Sequence, residues 1–68
     1  MKWIIVATDT GKYFDHFDKA TGQPIFDKSA SRAKWFDKEK ELRETMFLIE
    51  KYGVHCYYDP APSKKERR

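Results

Sequence analysis

Two histidines and one cysteine are the residues of this sequence that most often bind metals or form nucleophile–base pairs: His16, His55 and Cys56. Structural zinc sites need four ligands, which commonly come in pairs separated by two to four residues. No pair here has that spacing, and consecutive strand residues such as His55 and Cys56 point to opposite faces. The sequence therefore predicts no metal site, no cofactor and no catalytic Cys–His pair.

The other patterns that carry chemistry are incomplete. Asp15 and His16 are also consecutive, so a regular strand would keep them from forming a general-base dyad. Gly11 and Gly22 are isolated and match neither glycine-rich pattern that cradles phosphate, so we interpret both as turn residues. We therefore expect a protein that is not an enzyme.

Aromatic residues make up 16% of the chain, and several of them stand beside lysines. Two interpretations stay open. Sheet aromatics with basic neighbours can stack on the bases of single-stranded nucleic acid. In a small domain the same rings also serve as the core, because each buries roughly 150–250 Å². Aspartates border the same predicted strands and would repel phosphate, which favours the core.

The net charge of +3 belongs to the end of the chain. Residues 64–68 hold four basic groups and one acidic group, so the other 63 residues carry ten of each sign. The body of the protein therefore has no net field that would attract nucleic acid. The basic end would add weak, salt-sensitive attachment to an acidic partner.

One predicted helix organises the elements that must position these side chains. Apolar or small residues recur at i, i+3, i+4 and i+7 within residues 37–53, which defines one face of a helix: Leu42, Thr45, Met46 and Ile49. We expect Asp37 to cap the first turn with its carboxylate. We expect Gly53 to end the helix in the left-handed conformation.

The rest of the chain predicts strands and turns. Residues 2–8, 12–17 and 54–58 are rich in β-branched and aromatic residues, and 24–26 is a short extended piece. In the second strand, regular alternation would place Phe17 with Tyr13 and opposite Phe14. Pro60 is expected to lie beyond the last strand. We prefer a loop with an extended end for residues 28–36, although a longer helix is the alternative.

This order, β-β-(β)-α-β, predicts an α+β fold in which one helix packs across one face of a small antiparallel sheet. A chain of 68 residues forms one domain, here 1–60, followed by a disordered basic tail, 61–68. One cysteine forms no intrachain disulfide, and the first apolar run is too short for a signal peptide or a membrane span. We expect a cytoplasmic protein without a membrane partner.

Two stretches, GKYFDHFDKATGQPIFD and AKWFDKEKELRETM, resemble small accessory proteins of bacteriophages and prophages. Many of these pair an aromatic hairpin with an A-x-x-F-D-x-x-x-E entry into a single helix, and the match runs over about residues 2–58. The resemblance implies a non-enzymatic protein that binds host or defence machinery in the host cell cytoplasm. No functional residue is carried over from it.

Together these features predict a protein–protein interaction module that occludes a partner's site. Aromatic side chains are common binding anchors, and the predicted contact residues are Tyr13, His16, Phe17 and Tyr57. The alternative is a module that binds single-stranded nucleic acid through the hairpin aromatics and the basic tail.

The sequence also predicts a homodimer. The first strand carries apolar residues on both faces, and one helix covers only one of them. The other face, with either Ile4 and Val6 or Trp3 and Ile5, would then be left to solvent, to a partner or to a second copy, of which we expect the second copy. The alternative is a monomer in which the loop with Phe26, Trp35 and Phe36 folds over that face.

Overall fold

A computed structural model describes residues 1–62 of the chain. The strands are β1 (Trp3–Ala7), β2 (Tyr13–Phe17), β3 (Pro24–Asp27) and β4 (Cys56–Pro60), and the α-helix is α1 (Glu39–Glu50). A short 3₁₀ helix, Ala30–Arg32, lies between β3 and α1. The strands form one antiparallel sheet in the order β3-β2-β1-β4, with the helix packed on one face. The predicted α+β fold is confirmed.

The two ends of the chain meet in this sheet. The backbone N–H of Ala61 donates to the carbonyl oxygen of Lys2 at 2.8 Å, one residue beyond the last pair of the ladder. Most of the predicted basic tail, residues 63–68, lies outside the described residues. Within residues 1–62, no helix combines the length and the apolar character needed to cross a bilayer.

Helix α1 begins later than the sequence suggested. Lys38 is the N-cap residue and no side chain caps the helix, so the prediction that Asp37 does so is wrong. The chain is still extended at Lys38, with φ −119° and ψ 125°. Gly53 does end the helix as predicted, with φ +80° and its N–H donating to the carbonyl of Glu50 at 2.9 Å.

The core lies between α1 and the centre of the sheet. Five side chains are fully buried there: Ile5, Phe14, Phe36, Leu42 and Ile49. The predicted helix stripe supplies two of them, Leu42 and Ile49, and Met46 of the same stripe packs against this cluster. Burial of one such side chain is worth about 1.5–3 kcal/mol, so these few residues dominate the stability of a domain this small.

A bulge in β2 changes which aromatic rings share a face. The pairing of β2 with β3 shifts register between Phe14 and His16. Phe17 therefore returns to the helix side, and its ring centroid lies 4.9 Å from that of Phe14. The placement of Phe17 opposite Phe14, expected from regular alternation, is wrong because the extra residue of a bulge inverts the facing of the residues that follow it.

The segment 33–36 inserts between β1 and β2. Strands β1 and β2 pair at Val6 and Tyr13, and no further residue pair of these two strands is found toward Trp3. The N–H of Lys34 donates to the carbonyl of Phe14 at 3.0 Å, while Phe36 and Trp3 exchange two backbone hydrogen bonds of 2.8 and 2.7 Å. The predicted loop with an extended end is therefore anchored to both strands.

The sheet face that points away from α1 is not left open. Ile4 and Val6 are each only 3% exposed within the single chain. Trp35 lies on this side too, because its neighbour Phe36 faces the helix and successive residues of an extended segment alternate. Its indole N–H donates to the carbonyl of Ala30 at 3.0 Å. The premise that one face of β1 stays uncovered within a single chain is therefore wrong, while the homodimer itself stays a prediction.

Strand β4 is one edge of the sheet and β1 is central. Pro60 was expected beyond the last strand, but it pairs with Trp3 as the final residue of β4. The next residue, Ala61, bonds to Lys2, and bonded residues alternate along an antiparallel ladder, so the backbone nitrogen of Pro60 points away from β1. A proline is tolerated there because the ladder needs no N–H from that position.

We predict that Phe36→Ala lowers the free energy of unfolding by about 3–5 kcal/mol, because it removes a buried ring and leaves a cavity. A domain of this size has a total stability of roughly 3–10 kcal/mol. The variant should therefore lose a large part of its stability, which urea denaturation followed by circular dichroism will measure.

Phe47→Ala is the matched control, because Phe47 is 61% exposed and Phe36 is 1% exposed. The control should stay within about 0.5 kcal/mol of the wild type, as exposed positions usually do. A loss below about 1 kcal/mol for Phe36→Ala would show that the inserted segment does not support the core.

Candidate functional site

The described residues 1–62 contain no group of three or more His, Cys, Asp and Glu side chains close enough to hold a metal ion. His16 and Asp15 do approach each other, because the bulge in β2 disturbs their alternation. The Nδ1 atom of His16 lies 3.6 Å from Oδ2 of Asp15, which is too long for a hydrogen bond. The imidazole is 59% exposed, so this pair is a surface contact.

Three of the four predicted contact residues share one sheet face. Val6 pairs with Tyr13 on one side and with Tyr57 on the other, so these three side chains form a row on the face away from α1. His16 pairs with Ile25 on the same face. Phe17 is the exception, because it packs into the core on the helix side.

This row is flanked by carboxylates. Asp27 pairs with Tyr13 and Asp59 pairs with Ile4, so both project to the same face as the row. The phenylalanines of the hairpin face the other way and pack in the core. Lys2 alternates onto this face with Ile4, so two carboxylates and one ammonium group flank the row, and this net negative balance disfavours phosphate.

Several large apolar or aromatic side chains are exposed, and most of them lie outside the predicted site. They are concentrated between positions 47 and 58: Phe47 at 61%, Leu48 at 44%, Tyr52 at 47%, Tyr57 at 45% and Tyr58 at 51% exposure. Only Tyr57 was predicted from the sequence. A signal for two others was present, since at 100° per residue Phe47 and Leu48 fall on the side of the helix opposite its buried stripe.

Strand β4 presents two tyrosines and a free backbone edge. Tyr57 and Tyr58 are consecutive, so one side chain projects to each face of the sheet. The N–H of Thr8 donates to the carbonyl of His55, and the N–H of Ala61 donates to the carbonyl of Lys2. In an antiparallel ladder every second residue bonds to the neighbouring strand, so Tyr57 bonds to β1 while the backbone N–H and C=O of Tyr58 point outward. No hydrogen-bond partner for the backbone N–H of Tyr58 occurs within the part of the chain that is described.

Cys56 begins the same strand and is half-buried against the core. Burial raises the pKa of its thiol above the usual 9.0, and the negative charge of Glu50 raises it further. The thiolate is the reactive form, so Cys56 is poorly suited to nucleophilic chemistry at neutral pH.

We predict that iodoacetamide modifies Cys56 more slowly in the folded protein than in the urea-unfolded chain at pH 8, because the raised pKa and the partial burial both protect the thiol. Because the folded pKa is raised, the thiol favours the folded state below the unfolded pKa, and this contribution is lost as the pH rises above it. Cys56→Ala should therefore reduce the loss of stability above about pH 9. Mass spectrometry and denaturation at several pH values measure both, and equal alkylation rates would contradict the burial of the thiol.

The features that set this surface apart are the two tyrosines, the strand edge that nothing in residues 1–62 pairs with, and the acidic margin of the adjoining sheet face. Comparisons with protein-family models, with curated proteins and with solved structures find no match.

Proposed function

We propose that this protein is a non-enzymatic binding module that occludes a site on a partner protein, with β4 as its principal contact element. The observation that carries the proposal is the pair of exposed tyrosines on a sheet edge, Tyr57 at 45% and Tyr58 at 51% exposure. Tyrosine supplies a large apolar ring with a polar tip and little conformational entropy to lose, which is why it is enriched among binding anchors.

The backbone of β4 offers a second means of recognition. An exposed strand edge pairs with an extended segment of another protein, in which main-chain hydrogen bonds give affinity and alternate side chains give specificity. Cys56 and Tyr58 direct their backbone groups outward, and Pro60 ends the usable edge. The edge therefore suits a short extended segment of about three residues.

The neighbouring sheet face supports the same surface. Tyr13 lies two strands from the edge in the row with Val6 and Tyr57, and His16 is exposed on this face. A partner that docks on β4 and extends over the sheet would meet both side chains. Asp27 and Asp59 at the margins favour a partner with basic residues around its contact site.

The class of partner rests on the resemblance to phage accessory proteins, which implies a protein of the bacterial host or of its defence systems. Binding by a rigid surface requires no chemistry of the module itself. The binding energy alone would keep the partner's own substrate or ligand away from its site.

We predict that the immobilised protein captures a discrete partner from a bacterial lysate, and that Tyr57→Ala/Tyr58→Ala loses it. Truncation of two anchors typically costs 2 kcal/mol or more each, so retention should fall at least about tenfold. Phe47→Ala is the control, since Phe47 is 61% exposed on the helix, away from β4 and from the sheet face with Tyr13 and Tyr57. Identical capture by the double variant and the control would refute the assignment to β4.

Tyr58→Pro and Tyr58→Ala together test the backbone contribution. Both remove the ring, but only proline also removes the outward N–H, while the bonds of Tyr57 to β1 stay intact. Weaker capture by the proline variant than by the alanine variant is expected if a partner strand pairs with this edge.

Fluorescence anisotropy with short single-stranded DNA and RNA tests the nucleic-acid alternative. Tight binding that weakens steeply with salt and persists after deletion of residues 63–68 would overturn the proposal in favour of that function.

A further inference from the structure

We propose that the outer face of α1 is a self-association surface on which a second copy of this chain docks with its own α1 antiparallel. Four residues form this surface, which we call the outer stripe: Glu44, Phe47, Leu48 and Lys51. Their spacing of i, i+3, i+4 and i+7 places them on one side of the helix, opposite the buried Leu42 and Ile49. The helix thus carries two apolar stripes, and only one of them faces its own sheet.

The centre of the outer stripe is apolar and exposed. Phe47 is 61% exposed and Leu48 is 44% exposed, and these two consecutive large apolar residues lie in the last turn of α1. Together with Arg43 and Glu44 they line an open groove of about 440 Å³. A helix side chain of a partner is the kind of group that fills such a shallow depression between residues of another helix.

The charges at the two ends of the stripe select a second copy as the occupant. When two copies pair antiparallel about a two-fold axis between Phe47 and Leu48, Phe47 of each copy meets Leu48 of the other. Glu44 of each copy then meets Lys51 of the other, because both lie at equal distances from the axis. The surface is complementary to itself, as a closed two-fold interface requires.

These two charged groups are available for that contact. Within residues 1–62 the ion pair on α1 joins Glu39 to Arg43 at 2.7 Å, and neither Glu44 nor Lys51 takes part in an ion pair there. The Nζ atom of Lys51 lies 4.9 Å from the centre of the Phe47 ring, directly beside the apolar part of the stripe. Its position places a positive charge where the partner copy brings a carboxylate.

The size of the surface sets the strength of the dimer. With the axis between Phe47 and Leu48, only residues 45–50 of the two helices lie side by side, a length of about 9 Å, so they bury much less than the roughly 1,200 Å² of a standard interface. We therefore expect a dissociation constant on the order of 0.1 mM rather than in the nanomolar range. This dimer differs from one built on Ile4 and Val6, which are already buried.

Analytical ultracentrifugation from about 10 µM to about 1 mM tests the association, with charge reversal as the decisive step. Glu44→Lys and Lys51→Glu each replace two attractive pairs by two repulsive ones, so each should raise the dissociation constant about tenfold. In the double variant Glu44→Lys/Lys51→Glu, residue 44 is positive and residue 51 is negative, so both attractive pairs form again. Its dissociation constant should return to within about twofold of the wild-type value. Phe47→Ala should raise it at least about tenfold.

Glu50→Lys is the matched control, because it makes the same charge change beside the outer stripe and should leave the dissociation constant within about twofold. Thermal denaturation by circular dichroism confirms that each variant is folded at the temperature of the measurement. A mass of 8.2 kDa at every concentration would overturn the proposal. A dimer that forms without rescue by the double variant would overturn it as well.

This inference is independent of the proposed function. Phe47→Ala should still capture the partner that Tyr57→Ala/Tyr58→Ala loses, and the tyrosine variant should still dimerise. A dimer abolished by Tyr58→Pro and unchanged by Phe47→Ala would instead assign self-association to the edge of β4 and refute the role of the outer stripe.

Discussion

The two backbone hydrogen bonds between Phe36 and Trp3, 2.8 and 2.7 Å long, hold the entry to α1 against the centre of the sheet. They keep the chain extended until Lys38, which delays the start of the helix. They also direct the ring of Phe36 into the core, 1% exposed and 6.4 Å from the centroid of Phe14. The direction in which α1 crosses the sheet follows from this anchor, because the helix begins at Glu39, only three residues after Phe36.

The anchor explains how so small a domain buries both sides of its central strand. Helix α1 covers the side with Ile5, and the inserted segment brings Trp35 to the side with Ile4. The bulge in β2 increases the buried apolar surface further, because it directs the ring of Phe17 into the core. Most of the aromatic surplus is therefore structural, as expected for a chain with few aliphatic residues.

The apolar residues that remain exposed come mainly from the last third of the described chain. Phe47 and Leu48 lie on the outside of the one helix, and Tyr57 and Tyr58 lie on an edge strand with an unpaired backbone. Both surfaces arise from the same constraint, since a single helix and a four-stranded sheet have an outer face and an edge that nothing in residues 1–62 covers. They differ in chemistry. Charged side chains, Glu44 and Lys51, lie at the ends of the helix surface, whereas the edge of β4 presents backbone N–H and C=O groups.

The sequence by itself determined the α+β class, the order of the elements, the helix stripe with Leu42 and Ile49, and the positive φ of Gly53. These depend on local periodicity and turn chemistry, which are properties of neighbouring residues. Only the tertiary structure decided the bulge in β2, the insertion of segment 33–36 and the burial of Ile4 and Val6. These depend on pairings between residues distant in the chain, and one shift of register inverts every facing that follows it.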